Sequence, residues 1–186
     1  EKENKVVSAV IVSAGNSTRM GGINKQFLEL DGMPVIAHSI SAFQKCEYVD
    51  EIVIVTRESD IEEIKNLINK YSFTKVSSVV CGGATRQLSV FNGIIKTSND
   101  AQIVAIHDGA RPLVKADDIK NVFSNAKKYG ASALCVPVKD TIKVSANGGS
   151  GFAYVDFVVE YTDFSNILSE GILHKKILLQ WFVEEF

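Results

Sequence analysis

Short, unbroken apolar runs alternate with segments of helical period along most of this chain. Residues 6–13 (VVSAVIVS), 51–56 (EIVIVT), 76–81 (VSSVVC), 103–107 (IVAIH) and 131–137 (ASALCVP) read as strands, since a strand covered on both faces needs a continuous apolar run. Between them, Pro34 opens a helical segment with Ile36, Ile40 and Phe43 at i, i+4 and i+7. Ser59 and Glu62 suggest a capping box ahead of the stripe Ile61, Ile64, Leu67 and Ile68. A third helix is expected over residues 85–96 with Val90 and Ile94 inward, and a fourth over 117–129 with Ile119, Val122, Phe123 and Ala126 on one face. Gly130 follows the fourth where a C′ glycine belongs. Strands separated by helices at this spacing predict an α/β, Rossmann-like architecture: a mainly parallel twisted sheet with helices on both faces.

Composition narrows the class of ligand. The chain has 186 residues and 20.3 kDa, enough for one domain spanning 1–186 with a core that needs no staples. Twenty bases against twenty-two acids leave a net charge of −2, with no basic excess to displace counterions from a nucleic-acid backbone. A small phosphate ligand needs only two or three local cations and stays open. No apolar run approaches the roughly 20 residues of a membrane span, and Glu1-Lys2-Glu3-Asn4-Lys5 leads into a strand rather than a signal-peptide h-region. Cys46, Cys81 and Cys135 lack CxxC spacing; they suit a reducing cytoplasm and are expected to be small buried hydrophobes.

In parallel α/β sheets ligands bind outside the carboxyl ends of the strands, which selects the loops 14–24, 81–86, 107–112 and 138–143. The first loop runs Ser13-Ala14-Gly15-Asn16-Ser17-Thr18-Arg19-Met20-Gly21-Gly22-Ile23-Asn24-Lys25-Gln26-Phe27. Small residues there let backbone N–H groups approach an anion, and Gly15, Gly21 and Gly22 tolerate unusual dihedrals. Arg19 and Lys25 add two cations suited to a polyphosphate. The loop is neither GxGxxG nor GxxxxGK[ST], and a mobile surface loop with solvated charges is its bland alternative. In the third-strand loop, Gly82 and Gly83 permit a flat ligand to lie against backbone, with Arg86 and Ser89 as donors; alone, it is also just a turn into a capped helix. Asp108 closes the fourth strand, placed to hold Mg²⁺ with a hard oxygen ligand, or else to cap its own turn and pair with Arg111. His107 reads as a packed, hydrogen-bonded side chain. Asp140, Thr141 and Lys143 supply an acid, a hydroxyl and a cation after the fifth strand.

Taken together, SAGNSTRMGGINKQF, GGATRQLSV, HDGARP and PVKDTIK resemble, in order, the signature segments of the 2-C-methyl-D-erythritol 4-phosphate cytidylyltransferases of non-mevalonate isoprenoid biosynthesis. The resemblance spans residues 6–144. It implies transfer of a cytidylyl group from CTP to a phosphorylated polyol with release of pyrophosphate, and a homodimer. Carried over residue by residue, it makes Arg19 and Lys25 the catalytic cations on the triphosphate and Asp108 the Mg²⁺ ligand. Ala14, Gly15, Gly82, Gly83 and Ser89 would frame CTP, and Arg111, Thr141 and Asp140 would face the acceptor; Lys143 receives no role. The physics of the reaction class agrees: phosphoryl-type transfer asks for positioning and charge neutralisation, and a phosphate nucleophile with a second pKa near about 6 needs no general base.

Departures from the family pattern are few before residue 144 and many after it. Asn24 stands in place of the usual Pro before Lys25, and the spacing from Arg19 to Lys25 is one residue shorter than common. Beyond 144, Asp156 is followed by Phe157 where the family has an acceptor-binding Arg, and neither a TPQ nor a NIKIT segment occurs. Residues 177–186 (ILLQWFVEEF) fit neither period cleanly. The stretch 145–186 therefore reads either as pieces of a longer tail joined across gaps or as the end of a truncated, weakened enzyme. Ribitol-5-phosphate cytidylyltransferases carry a similar motif set and make ribitol 5-phosphate the rival acceptor. A nucleotide-binding module without catalysis is the rival from another class.

Overall fold

The computed structural model describes residues 6–15, 24–135 and 176–179. Five parallel strands form one sheet in the order β5-β4-β1-β6-β7: β1 (Val6–Val12), β4 (Glu51–Thr56), β5 (Val76–Cys81), β6 (Ala101–Asp108) and β7 (Lys176–Leu179). A two-stranded hairpin, β2 (Glu29–Leu30) and β3 (Met33–Pro34), stands apart from it. Asp31 and Gly32 turn this hairpin with φ of 50° and 74°, the pair of positive dihedrals that a two-residue type I′ turn demands. The helices are α1 (Val35–Lys45), α2 (Ile61–Tyr71), α3 (Arg86–Ile94) and α4 (Ala116–Tyr129).

Strand alternation divides the core between two faces. Ala9, Ile11, Ile52, Ile54, Ile103 and Ala105 face α1, α2 and α4, which contribute Ile36, Ile40, Phe43, Ile64, Leu67, Ile119, Phe123 and Ala126. Val10, Val53, Val55, Val104 and Ile106 face α3 through Val90 and Ile94. α3 lies very close to the sheet because Gly93 has no side chain: a Cβ there would fall 2.3 Å from Val10 Cγ1 and 2.7 Å from Val55 Cγ2. The helices thus cover both faces, as a sheet wound in two directions from β1 requires.

Four strands and four helices match the sequence reading to within a residue or two at most ends. The expected strand over 131–137 does not form across its described part, as residues 131–135 carry no ladder. The open edge of β6 is occupied by β7, with Val104 opposite Ile177, and one edge accepts one neighbour. The Ser59–Glu62 capping box is also absent. A 3-10 turn, Glu58–Asp60, precedes α2, the Ser59 hydroxyl donates to Asp60 Oδ1 at 2.9 Å, and Glu62 pairs with Lys65 at 2.6 Å. Of the three thiols only Cys46 is buried, whereas Cys81 and Cys135 are exposed. No helix among the described residues is long and apolar enough to cross a membrane.

Candidate functional site

The chain leaves β1 toward β4 and β5, then returns to the other flank of β1 as β6. The carboxyl end of β1 is therefore the point where the winding reverses, the usual position of a ligand crevice in this architecture. Register brings the strand ends level: Val12 lies opposite both Val55 and Asp108, and Thr56 opposite Cys81. The loops that follow are tied at the root by Ser13 N to Val55 O at 2.7 Å, Gly82 N to Thr56 O at 2.8 Å and Gly109 N to Val12 O at 2.8 Å.

Ala14, Gly82 and Ser89 meet in one place. β4 separates β1 from β5, so the loops after those strands converge over its end at Thr56, across two strand spacings or about 10 Å of sheet. A Cβ on Gly82 would stand 2.3 Å from Ala14 Cβ and 2.9 Å from Ser89 Oγ; only glycine fits. Gly83 is hemmed in similarly, with Leu88 Cβ 2.4 Å from its missing side chain. Ser89 is buried rather than presented as an open donor. Its hydroxyl donates to Thr85 O at 2.9 Å and accepts Gly83 N–H at 3.0 Å, so it shapes the glycine turn from inside. Thr85 caps α3 by accepting Leu88 N–H at 3.2 Å. Gly15 differs: it is exposed, its φ is not positive, and a Cβ would meet nothing within 4 Å among the described residues. The unusual dihedral expected there is absent.

Asp108 ends β6 half-exposed and is already a turn cap. Its Oδ1 accepts Ala110 N–H at 3.1 Å, and Oδ2 lies a loose 3.7 Å from Arg111 Nε. His107 beneath it is fully buried, its ring tilted 52° against that of Phe43 at 5.0 Å between centroids, with Nε2 3.1 Å from Arg111 O. The Ser39 hydroxyl donates to Gly109 O at 2.9 Å, pinning this loop to α1. The donor set fits Mg²⁺: an accessible carboxylate at a strand end is what that ion takes when phosphates and water complete its shell. No cluster of three or more metal-ligating side chains exists among the described residues.

Lys25 lies in the 3-10 turn Lys25–Phe27, exposed, and its ammonium has no partner among the described residues. Its neighbours are anchored. Asn24 Nδ2 and Gln26 Nε2 both donate to Asp60 Oδ2, at 3.0 and 3.3 Å, and the same oxygen receives Arg57 Nε at 2.8 Å. Asp60 belongs to the loop leaving β4, so this network brings the Lys25 turn to the rim that carries Ala14, Gly82 and Asp108. Burial pushes the Asp60 carboxyl up, but Arg57, Ser59 and Asn24 outweigh it and hold it below the ordinary aspartate range. Sequence reasoning missed Asp60. The signal was Arg57-x-x-Asp60, an opposite-charge pair at i, i+3. Arg19, Asp140, Thr141 and Lys143 lie outside the described residues, and so does the loop 138–143.

The family model described as IspD, 2-C-methyl-D-erythritol 4-phosphate cytidylyltransferase, matches residues 7–156. The protein of that name from Caldanaerobacter subterraneus is 48% identical over 141 residues, which are 75% of this chain and 62% of that one. The one from Alkaliphilus oremlandii is 45% identical over 140 residues, 74% of this chain and 59% of the relative. The chain thus spans about three fifths of the length of these curated relatives. Among solved structures, 4-diphosphocytidyl-2C-methyl-D-erythritol synthase from Anaerococcus prevotii superimposes with a TM-score of 0.72 at 22% identity, over 97% of this chain and 88% of that one. At that identity the likeness is one of fold.

Proposed function

Since the chain belongs to the 2-C-methyl-D-erythritol 4-phosphate cytidylyltransferase family, we propose that it moves a cytidylyl group from CTP onto 2-C-methyl-D-erythritol 4-phosphate and releases pyrophosphate. The observation that carries this reading is the convergence of Ala14, Gly82 and Ser89 over the end of β4, within two strands of the Asp108 carboxylate. Such a site is narrow, backbone-lined on one side and acidic on the other. It suits a flat base lying against glycine, with its phosphates running toward β6.

In this reading a phosphate oxygen of the acceptor attacks the α-phosphorus of CTP in line. The new P–O bond forms as the bond to the β-phosphate bridging oxygen breaks, and pyrophosphate leaves. The nucleophile is largely ionised at neutral pH, so no side chain has to remove a proton. Lys25 and Arg19 supply cations to the triphosphate and to the charge that builds on the equatorial oxygens. Asp108 would hold Mg²⁺, whose charge offsets that of the bound phosphates. Gly82 and Gly83, braced by Ser89, frame the base together with Ala14 and Gly15. Arg111, Thr141 and Asp140 are assigned to the acceptor. One nucleotidyltransferase domain, working as a homodimer in the cytoplasm with no nucleic-acid or membrane partner, completes the proposal; three free thiols agree with a reducing compartment.

Pyrophosphate release by the intact protein with Mg²⁺ and CTP, measured separately with methylerythritol phosphate and with ribitol 5-phosphate, tests the assignment. Turnover with the first alone is expected. Turnover only with the ribitol ester would change the acceptor, and CTP binding without turnover would make the protein a nucleotide-binding module.

A further inference from the structure

Neither the ends of the sheet nor the family motifs draw attention to Asp60, yet its carboxylate accepts hydrogen bonds from four side chains, Asn24, Gln26, Arg57 and Ser59. We propose that Asp60 is a positioning residue for Lys25: it grips the residues on both sides of that lysine and so fixes where the ammonium stands at the carboxyl rim of the sheet. This rests on the reading above in which Lys25 meets the triphosphate.

Three observations support it. Asn24 and Gln26 bracket Lys25 and send their amide N–H groups to one oxygen of Asp60, at 3.0 and 3.3 Å. Two anchors either side of a single residue leave its backbone little freedom, while its own side chain stays exposed. Asp60 is itself immobilised. It is 7% exposed, with Arg57 at 2.8 Å and the Ser59 hydroxyl at 2.9 Å, so the anchor is referred back to the end of β4. Finally, Asn24 Oδ1 is buried with no hydrogen-bond partner among the described residues. An orphaned acceptor costs stability, so packing alone does not account for an amide at this position. Its Nδ2–H bond to Asp60 is what the residue contributes.

The consequence is kinetic. A charge aimed at a transition state loses effect steeply with displacement, and a misplacement of about 1 Å can cost about 10²-fold. The experiment is a double-mutant cycle on pyrophosphate release: Asp60→Asn and Asn24→Ala, each in the native protein and in the Lys25→Ala background, with unfolding midpoints recorded for all. Asn24→Ala leaves the Arg57–Asp60 pair whole and so serves if Asp60→Asn folds poorly. Each substitution is expected to lower kcat about tenfold or more in the native protein, and less than about twofold once Lys25 is gone. Equal losses in both backgrounds, or none in the native one, would overturn the positioning role while leaving Lys25 in place. A Lys25→Ala protein that turns over normally would overturn the assignment of Lys25 and the positioning role with it. CTP protection of the Lys25 amine from an amine-reactive label, read by mass spectrometry, probes the same placement without turnover: it is expected in the native protein and weakened by Asn24→Ala. Protection unchanged in Asn24→Ala overturns the role.

Discussion

Gly82 and Ala14 touch across the end of a strand that belongs to neither: a Cβ on Gly82 would lie 2.3 Å from that of Ala14. Both atoms are fixed to backbone, so the clash cannot be relieved by a rotamer change. Gly82→Ala must push the two loops apart, and overpacking of this kind costs about 1–3 kcal/mol. Because the displaced segments are those assigned to the nucleotide, KM for CTP is expected to rise about tenfold or more. Gly15→Ala is the matched control for the stability cost of added bulk, since no described residue lies within 4 Å of its missing Cβ. Its unfolding midpoint should be unchanged within about 0.5 kcal/mol. Thermal melts of the two variants check the contrast in stability, and steady-state kinetics of Gly82→Ala check the rise in KM.

Ser89 acts on the same turn from beneath. Ser89→Ala would deprive the half-buried Gly83 N–H of its acceptor at 3.0 Å. A buried donor left unpaired costs about 1–3 kcal/mol, and for a domain of this size each kcal/mol lowers Tm by about 2–4 °C. A drop of roughly 2–12 °C with a raised KM for CTP is expected. A variant with native Tm and native KM would remove Ser89 from the frame of the turn.

What the sequence disclosed follows the range over which each interaction acts. Apolar runs and helical stripes are local, and β1, β4, β5, β6 and the inward faces of α1 to α4 were legible from them. So was the gathering of residues 14–15 with the loops 81–86 and 107–112 at one edge, because parallel strands put every following loop on the same side. Pairing at the sheet edge is not local: residues 131–135 and 176–179 are both short and apolar, and only the vacancy beside β6 decides between them. Side-chain bonds over tens of residues were equally hidden. Asp60 reaches Asn24 across 36 positions, and Ser39 reaches Gly109 across 70. The Asp31-Gly32 hairpin, by contrast, is a local signal, since an Asp-Gly dipeptide supplies the two positive φ angles of its turn.

Gly93 sets how near α3 approaches the sheet. Helix propensity alone favours Gly93→Ala by about 1 kcal/mol. The new methyl would fall 2.3 Å from Val10 Cγ1 and 2.7 Å from Val55 Cγ2, both on stiff β-branched side chains, so overpacking of about 1–3 kcal/mol wins. Net destabilisation is expected in urea unfolding. Because α3 carries Thr85 and Ser89 at its first turns, KM for CTP should rise as well.

Lys25 offers a cation with no partner of its own among the described residues, so removing it breaks no hydrogen bond or ion pair among them. Lys25→Ala should therefore leave the unfolding midpoint near native and lower kcat by about 10²–10³, with a smaller effect on CTP affinity. Arg19→Ala is expected to behave alike in kcat. Single-turnover rates beside equilibrium CTP binding separate the two effects, and unchanged turnover in Lys25→Ala would withdraw its catalytic role.

Asp60 ties stability to acid pH. Burial favours the neutral carboxyl, but the Arg57, Ser59 and Asn24 donors prevail and lower its folded-state pKa. A group whose pKa is lower folded than unfolded binds fewer protons in the native state, so its stabilisation is complete above the unfolded aspartate value of about 3.9. It is lost as pH falls from there through the lower folded value. Asp60→Asn keeps the shape of the side chain and cannot titrate. The gap in unfolding free energy between native protein and variant should hold level from pH 7 to about 5, then narrow steadily below about 4. Other carboxylates titrate in both proteins and cancel in the difference. Urea unfolding of the pair at matched pH values measures it. A gap that stayed constant, or widened, as the solution was acidified would show that the Asp60 carboxylate is not held in its charged form by these donors.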